Sequence, residues 1–259
     1  MNRKQVSSFF TTYTSKYNPI GNERVMLKVE HTYRVAGLCE DIAKKEGLSK
    51  DQIDLAWLIG MLHDIGRFEQ IRIYNTFEDA KSKKHADISV SVLFEEGQIK
   101  NFTDALSEKE LEIVRKSILY HSEFKLPEDL TYEEKLFADI LRDADKIDIL
   151  KVVYDSNPLI IYGATYEEMM DEDISKEVMK CFDEKHAVYR PYRKTHLDNL
   201  VTFVSFIFEL VNKSSIDIVN EQGYIWKILE FESNKDSVNE KLEHMRKQIK
   251  ELLVPDTIC

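Results

Sequence analysis

Glycine and proline are scarce in this chain, and that scarcity constrains its fold more than any other feature. They account for 8 and 5 of the 259 residues, about 5% together against a usual ~12%. A fold built from many tight turns needs more of both residue types than a fold built from long helices. Because 43% of the residues are hydrophobic, the chain also has ample material for a core. We therefore expect long helices.

Apolar residues recur at helical spacing along most of the sequence. The first strong helix is predicted over about 23–46, with Gly47 as its left-handed C-terminal cap. Capping boxes, in which a Ser or Thr precedes a Gln or Glu by three residues, mark further helix starts at Ser49, Ser107 and Thr131. The full pattern predicts helices near residues 23–46, 49–63, 79–94, 107–121, 132–151, 173–188, 194–213, 215–232 and 235–253. The expected fold class is all-α.

We expect one helical domain over residues 1–259. A Ser-Asn-Pro break at 156–158 divides it into a core of about 24–151 and a helical extension of about 156–259. Within the extension, the segment 197–210 is apolar nearly all round, which is typical of a helix buried between others. The extension is therefore expected to pack on the core.

The net charge of −11 limits the partners of this chain. It repels polyanions over most of the surface, so nucleic acid polymers are poor candidates, whereas a small phosphorylated substrate can still bind in a cleft with local cations. The N-terminus lacks the apolar core of a signal peptide. The longest uncharged apolar stretch elsewhere, residues 199–208, is far shorter than the ~20 residues of a membrane span. No membrane association is expected.

The three cysteines indicate a reducing environment. Cys39, Cys181 and Cys259 are odd in number, widely spaced and without a CxxC pair. This pattern indicates neither a disulfide framework nor a zinc knuckle. The expected location is the cytoplasm.

Side chains that bind metals are dispersed along the first 145 residues, each on or at the end of a predicted helix. They are His31, the adjacent pair His63 and Asp64, then His85, His121 and Asp145. Neutral imidazole and carboxylate suit divalent ions such as iron, zinc, manganese or nickel, and the absence of cysteine argues against a structural zinc site. The remaining histidines, His186, His196 and His244, lack such a context and are expected to be ordinary hydrogen-bonded residues.

Three segments carry a resemblance to a known family. They read VEHTYRVAGL around His31, MLHDIGRFEQ around His63 and LRDADKIDIL around Asp145. Over about residues 24–151 the chain resembles the HD superfamily of metal-dependent phosphohydrolases. The resemblance implies an HD-type helical bundle, on which the additional C-terminal helices would pack.

The resemblance also implies two sets of metal ligands that share the carboxylate of Asp64. The first ion would be held by His31, His63, Asp64 and Asp145, and the second by Asp64, His85 and His121. The assignment of the last two histidines depends only on their position between the His-Asp pair and the final Asp. One or two divalent transition metal ions, whether iron, manganese, zinc, nickel or cobalt, suit such ligands.

The activity that the resemblance implies is hydrolysis of a phosphoester of a small molecule, with nucleotides as the favoured class. A metal-bound hydroxide would attack phosphorus, and Asp64 would be catalytic because it bridges the two ions. Arg67 stands at the basic position of the HDIGK or HDIGR form of the motif, and its planar fork can bind two phosphate oxygens. Lys146, directly after Asp145, is a second cation that could offset charge on the phosphoryl oxygens.

Two other functions stay open. The same ligands filled with two irons resemble those of HD-type oxygenases, which activate oxygen and cleave a carbon bond, and coordination alone does not separate the two chemistries. The third hypothesis is a regulatory or binding protein that retains the metal site without turnover. Oligomerisation is also open, because a group of apolar residues near the C-terminus fits either a core or a homodimer surface. These are Ile225, Trp226, Ile228 and Leu229.

Overall fold

The fold consists of helices joined by turns. The computed structural model describes residues 1–253 and contains no strand within that range, so the prediction of an all-α fold is confirmed. Cys259 and the last residues of the predicted extension lie outside the described residues. No helix in the described part of the chain is both long and apolar enough to cross a bilayer.

The chain divides into two compact units. The first is Met1–Asp145 and the second begins at Lys146, so the boundary falls inside a long helix. The α-helices that begin in the first unit are α1 (Arg3–Ser15), α2 (Glu23–Lys45), α3 (Lys50–Leu62), α4 (Ile65–Tyr74), α5 (His85–Val90), α6 (Ile99–Phe102), α7 (Glu108–Tyr120) and α8 (Tyr132–Asp155). The predicted organisation as one domain, with a core of about 24–151 and an extension of about 156–259, stays a prediction.

The second unit contains shorter helices and one long terminal helix. They are α9 (Pro158–Ile161), α10 (Tyr166–Met169), α11 (Lys176–Asp183), α12 (His196–Ser205), α13 (Lys213–Gln222), α14 (Tyr224–Ile228) and α15 (Asp236–Leu253). Short 3-10 turns lie at Arg190–Tyr192 and Phe206–Glu209 in this unit, and at Pro19–Gly21 and Asp79–Lys81 in the first unit.

The predicted helix ends are confirmed where a capping residue marks them. Gly47 has a φ of +74° two residues after α2, a left-handed conformation that costs glycine little. Ser49 and Ser107 form capping boxes at the starts of α3 and α7. At the start of α8, the N–H of Thr131 donates to Oε2 of Glu134 at 2.8 Å, and the N–H of Glu134 donates to Oγ1 of Thr131 at 3.3 Å.

The helix predicted over 79–94 is wrong in its first half. Asp79–Lys81 forms a 3-10 turn, α5 begins only at His85, and Ser91–Glu95 continues it as a π-helix. The carboxylate of Asp79 accepts the backbone N–H of His85 at 3.1 Å, which satisfies a donor at the helix start and sets that start at His85. Single turns of π-helix are rare and frequently occur at functional sites.

Close packing of α2 on α3 forms the centre of the first unit. A Cβ atom at Gly60 would lie 2.6 Å from Cα of Ala36, so the two helices approach to a distance that only glycine permits. In the same unit, α3 contacts α7, α4 contacts α5, and α5 contacts α7. The side chain of Arg3 on α1 bonds to Asp54 at 2.7 Å and to Glu40 at 2.6 Å. The helix contacts join α2, α3, α4, α5 and α7, which carry or border five of the six predicted ligands.

The core of the second unit confirms part of the apolar pattern. α12 is buried on most of its faces, as the segment 197–210 predicts, and it packs against α11 and α14. The helix predicted over 215–232 is interrupted at Gly223, whose φ of +69° ends α13 before α14 begins. Ile225, Ile228 and Leu229 are buried within the chain itself, so they belong to its core. A homodimer stays a prediction.

Candidate metal centre

The fold brings the six predicted metal ligands together within the first unit. They come from α2 (His31), the C-terminus of α3 (His63), the N-terminus of α4 (Asp64), the start of α5 (His85), the C-terminus of α7 (His121) and α8 (Asp145). Five of them are buried. Asp145 keeps 21% of its side chain exposed, so the cluster reaches solvent on its side.

His31, His63 and Asp145 form the first group of ligand atoms. Nε2 of His31 lies 3.2 Å from Oδ1 of Asp145 and 3.3 Å from Nε2 of His63. Oδ2 of Asp64 lies 3.7 Å from Nε2 of His31 and 3.6 Å from Nε2 of His63. Ligand atoms of His31, His63 and Asp145 all lie within 4.8 Å of one another, so they can reach a single ion.

His85 and His121 form the second group on the other oxygen of Asp64. Their Nε2 atoms lie 2.9 Å apart. Oδ1 of Asp64 lies 3.4 Å from Nε2 of His85 and 3.9 Å from Nε2 of His121. His63, Asp64 and His121 also offer atoms within 4.8 Å of one another, so His63 lies between the two groups. The two oxygens of Asp64 thus face different histidine pairs.

Hydrogen bonds at Nδ1 orient three of the imidazole rings. Nδ1 of His63 lies 2.7 Å from the carbonyl oxygen of Gly60, and Nδ1 of His121 lies 2.7 Å from that of Ile118. Nδ1 of His85 lies 2.7 Å from Oδ2 of Asp79. Carbonyl and carboxylate oxygens only accept, so in each ring Nδ1 is the donor and the neutral ring presents an Nε2 lone pair. Such outer contacts orient histidine ligands in metal sites.

Burial keeps these rings neutral. It lowers the pKa of His85 to about 4, partly opposed by Asp79, and it lowers that of His121 to about 4 with a further contribution from His63. Burial likewise lowers the pKa of His63. At neutral pH all three rings therefore offer lone pairs rather than positive charge, which is the form that binds metal ions.

The two aspartates are held in their ionised form. Burial alone would raise the pKa of the Asp64 carboxyl, but Lys28, His63 and Arg67 hold it well below its usual range. Burial has the same effect on Asp145, whose hydrogen bond and charge interaction with His31 bring its pKa below the usual range. Both carboxylates therefore carry the negative charge that a cation site requires.

A divalent cation fits this donor set. Nε2 of His85 and Nε2 of His121 approach to 2.9 Å, although both act as acceptors in neutral rings, and two acceptors at that distance repel each other. Among the described residues, the buried Oδ1 of Asp64 has no hydrogen-bond partner, and neither has Nε of Arg67, 3.4 Å away. A cation between the two Nε2 atoms and Oδ1 of Asp64 would satisfy all three acceptors.

Gly66 explains why the motif needs glycine after the His-Asp pair. A Cβ atom there would lie 2.5 Å from the carbonyl oxygen of His85 and 2.4 Å from the backbone nitrogen of Ser89. The N–H of Gly66 donates to Oγ of Ser89 at 2.9 Å, and this hydroxyl donates to the carbonyl oxygen of His63 at 2.9 Å. The His-Asp pair and the helix that carries His85 are therefore joined directly.

Lys28 is a functional candidate that the sequence analysis missed. Its Nζ lies 2.8 Å from Oδ2 of Asp64, and its side chain is 19% exposed. Lys28 precedes His31 by three residues on α2, so the two side chains project from one face of the helix. That spacing before the first motif histidine is the signal that could have identified it.

Asp79 is a second candidate that the sequence analysis missed. Besides its two contacts with His85, it accepts from Nη1 of Arg67 at 3.3 Å and from Nε2 of Gln70 at 2.8 Å. Burial alone would raise its pKa, but the hydrogen bond from His85 and the charge of Arg67 hold it below its usual range. Asp79 is separated from His85 by an irregular turn, so no periodic pattern marks it.

Arg67 lies at the cluster and is firmly held there. Its Nη1 lies 2.9 Å from Oε1 of Gln70, 2.6 Å from the carbonyl oxygen of Phe77 and 3.3 Å from Oδ1 of Asp79. Its contact with a phosphate stays a prediction. Lys146 is half-buried and is the first residue of the second unit, and its catalytic role also stays a prediction.

The histidines outside the cluster have ordinary partners in the second unit. Nδ1 of His196 lies 2.6 Å from Oε1 of Glu172, and Nε2 of His244 lies 2.9 Å from Oδ1 of Asp183. His186 lies 3.0 Å from the carbonyl oxygen of its neighbour Ala187. All three distances are those of common hydrogen bonds.

Comparison with known proteins identifies the family of this region. Neither a curated protein nor a solved structure matches the chain. The sequence profile of the HD domain matches residues 29–152, a range that includes all six clustered residues. HD domains bind divalent metals and form a superfamily of metal-dependent hydrolases, and the His-Asp groups of the structure fit a metal site. The predicted resemblance is thereby confirmed for this region, because residues 29–152 match the HD domain and contain the clustered His and Asp residues.

Proposed function

We propose that this HD domain is a phosphohydrolase that cleaves a phosphoester of a small molecule, with nucleotides as the first class to test. One observation carries the proposal. Oδ2 of Asp64 faces His31 and His63 at 3.7 and 3.6 Å, while Oδ1 faces His85 and His121 at 3.4 and 3.9 Å. A carboxylate shared between two histidine pairs can hold two ions side by side, which is the arrangement that two-metal hydrolysis uses.

The proposed ligand sets follow this division. His31, His63, Asp145 and Oδ2 of Asp64 would hold one divalent ion, and His85, His121 and Oδ1 of Asp64 would hold the other. Ions bound there would supply Lewis acidity, which acidifies water and neutralises charge on phosphoryl oxygens. The protein contributes ligands that are already oriented and almost fully desolvated, so little reorganisation is needed when the ions bind.

The exposed edge of the cluster supports an anionic substrate. Lys28, Arg67 and Asp145 keep 19%, 15% and 21% of their side chains exposed, whereas the four imidazoles keep 4% or less. A substrate that reaches this edge would meet Lys28 and Arg67 beside the carboxylate of Asp145. These cations favour a phosphate over a neutral molecule. Lys146, which follows Asp145 directly, is the third cation that we propose to offset charge on the phosphoryl oxygens.

Phosphate release tests the proposal. The purified chain, loaded with Mn²⁺ or Fe²⁺, would be assayed on mononucleotides, dinucleotides, cyclic nucleotides and sugar phosphates. We expect turnover of one substrate class by the wild type and by His244→Gln, which alters a histidine bonded to Asp183 in the second unit, and none by Asp64→Asn. A wild type that binds two ions and releases no phosphate would contradict the proposal, and oxygen uptake would then be the next assay.

A further inference from the structure

Arg142 on α8 is a buried cation that holds the turn after α7. Only 8% of its surface is exposed. Nη1 donates to the carbonyl oxygens of Tyr120 and His121 at 3.2 Å each and also to that of Glu123, while Nη2 donates to that of Phe124 at 3.3 Å. The last carbonyls of a helix have no partner within the helix, and arginine can supply the missing donors.

The turn that Arg142 holds carries His121. α7 ends at Tyr120, and residues 121–125 form no helix or strand. The ring of His121 must nevertheless direct Nε2 towards His85, 2.9 Å away. An exposed ion pair between Lys84 and Glu123, at 2.6 Å, also touches this turn, but such pairs contribute little. Hydrogen bonds from a buried charged group are stronger than such exposed pairs.

Arg142 also connects the two halves of the cluster. It lies three residues before Asp145 on α8, so both side chains project from one face of the helix. Asp145 contacts His31 in the first group, and Arg142 holds the turn of His121 in the second. One helix therefore supplies a ligand to one group and a support to the other.

We propose that Arg142 is a positioning residue for the second ion site. Its guanidinium fixes the turn at residues 120–124. Nε2 of His121 is thereby held where it can share one ion with Nε2 of His85 and Oδ1 of Asp64. This inference rests on the proposed function only in that it assumes two ions. Loss of Arg142 is expected to lower the affinity for the second ion about 10–100-fold, the usual effect of removing a residue that orients a metal ligand. The affinity for the first ion should not change.

Metal titration of the full chain tests this role. Wild type, Arg142→Met, Arg142→Lys and His121→Ala would be stripped with a chelator and titrated with Mn²⁺ by calorimetry, with circular dichroism as a check of folding. His121→Ala identifies the binding step that belongs to the second group. We expect the same step to weaken about 10–100-fold in Arg142→Met. Arg142→Lys keeps the charge but not the planar fork, so it should recover only part of the affinity.

Arg246 provides a matched control. It donates to the carbonyl oxygens of Leu229 at 2.9 Å and of Phe231 at 3.2 Å, just beyond the end of α14, and it lies in the second unit. Arg246→Met should leave both binding steps unchanged. If Arg142→Met does not fold, Arg142→Lys provides the test, because it should bind the second Mn²⁺ more weakly and the first as tightly as the wild type.

The outcomes separate this inference from the proposed function. A wild type that binds two ions, with variants of Arg142 that bind both as tightly or lose both equally, overturns the positioning role alone. A wild type that binds fewer than two ions overturns the two-ion site and the inference with it.

Discussion

Nε2 of His85 lies 2.9 Å from Nε2 of His121, and in their neutral forms neither nitrogen has a proton to share. The Nδ1 protons are already donated, by His85 to Asp79 and by His121 to Ile118. This contact is stable only when something positive lies between the two lone pairs. The proposed second ion site therefore depends on the outer contacts that turn each ring inward.

Asp79→Asn tests the outer contact of His85. The amide removes the negative charge that holds the Nδ1 proton, so Nε2 becomes a weaker ligand. We expect the affinity for the second Mn²⁺ to fall about 10–100-fold, while that for the first is unchanged, as measured by calorimetry. Glu172→Gln is the control, because Glu172 makes a similar contact with His196 at 2.6 Å. Equal affinities in wild type and Asp79→Asn would argue against this role.

Gly66→Ala tests the close approach between α4 and α5. The new methyl group would lie 2.4 Å from the backbone nitrogen of Ser89, so one of the helices must move. We expect a loss of about 1–3 kcal/mol in the free energy of unfolding together with weaker binding of the second ion. Gly37→Ala, with no atom within 4 Å of the new Cβ, should be neutral or gain up to about 1 kcal/mol. Urea unfolding would detect both effects, and equal stabilities would contradict the packing argument.

Lys28→Met tests the cation on Asp64. The ammonium repels a divalent ion near Oδ2, so its removal should tighten binding of the first ion. It should also slow phosphate release, because a cation beside the phosphoryl oxygens is lost. Lys44→Met is the control, since Lys44 lies on the same helix and pairs with Glu40 at 2.7 Å. Unchanged metal affinity and turnover in Lys28→Met would assign Lys28 no part in the site.

The buried histidines predict a pH dependence of the metal-free protein. Histidine has a pKa of 6.5 when unperturbed, but His85 and His121 have values of about 4 in the folded chain. Between these values the unfolded chain binds protons that the folded chain does not, so the free energy of unfolding falls as pH decreases from 6.5 to 4. The lowered carboxyl pKa values of Asp64 and Asp145 act in a lower window, below their usual 3.8.

Urea unfolding of chelator-treated protein at several pH values would measure this dependence. His85→Gln removes one of the buried histidines with a lowered pKa, so its profile should be shallower than that of the wild type. A wild-type free energy of unfolding that is flat between pH 6.5 and 4.5 would show that the rings titrate normally.

The sequence was sufficient to predict the fold class and the identity of the clustered residues. Capping boxes act through contacts between residues three positions apart, so Ser49, Ser107 and Thr131 could be recognised without a structure. The six clustered residues could be selected because their residue types and motif context coincide. The predicted helix over 79–94 failed because Asp79 uses its carboxylate on the N–H and ring of His85, an arrangement that apolar periodicity does not reveal.

The side chains that orient the clustered residues could not be predicted, because they act through contacts between distant segments. Arg142 donates to carbonyl groups 18–22 residues earlier in the chain, and backbone acceptors have no sequence signature. Lys28 is different, because its spacing from His31 was visible, but nothing local shows that its ammonium reaches Asp64. Helix packing decides such contacts.

The most direct test of the central claim is the anomalous X-ray signal of crystals soaked with Mn²⁺. Two peaks are expected, one near Oδ2 of Asp64 beside His31 and His63, and one near Oδ1 beside His85 and His121. A single peak, or two peaks of which neither contacts Asp64, would contradict the shared carboxylate on which the proposed hydrolase depends.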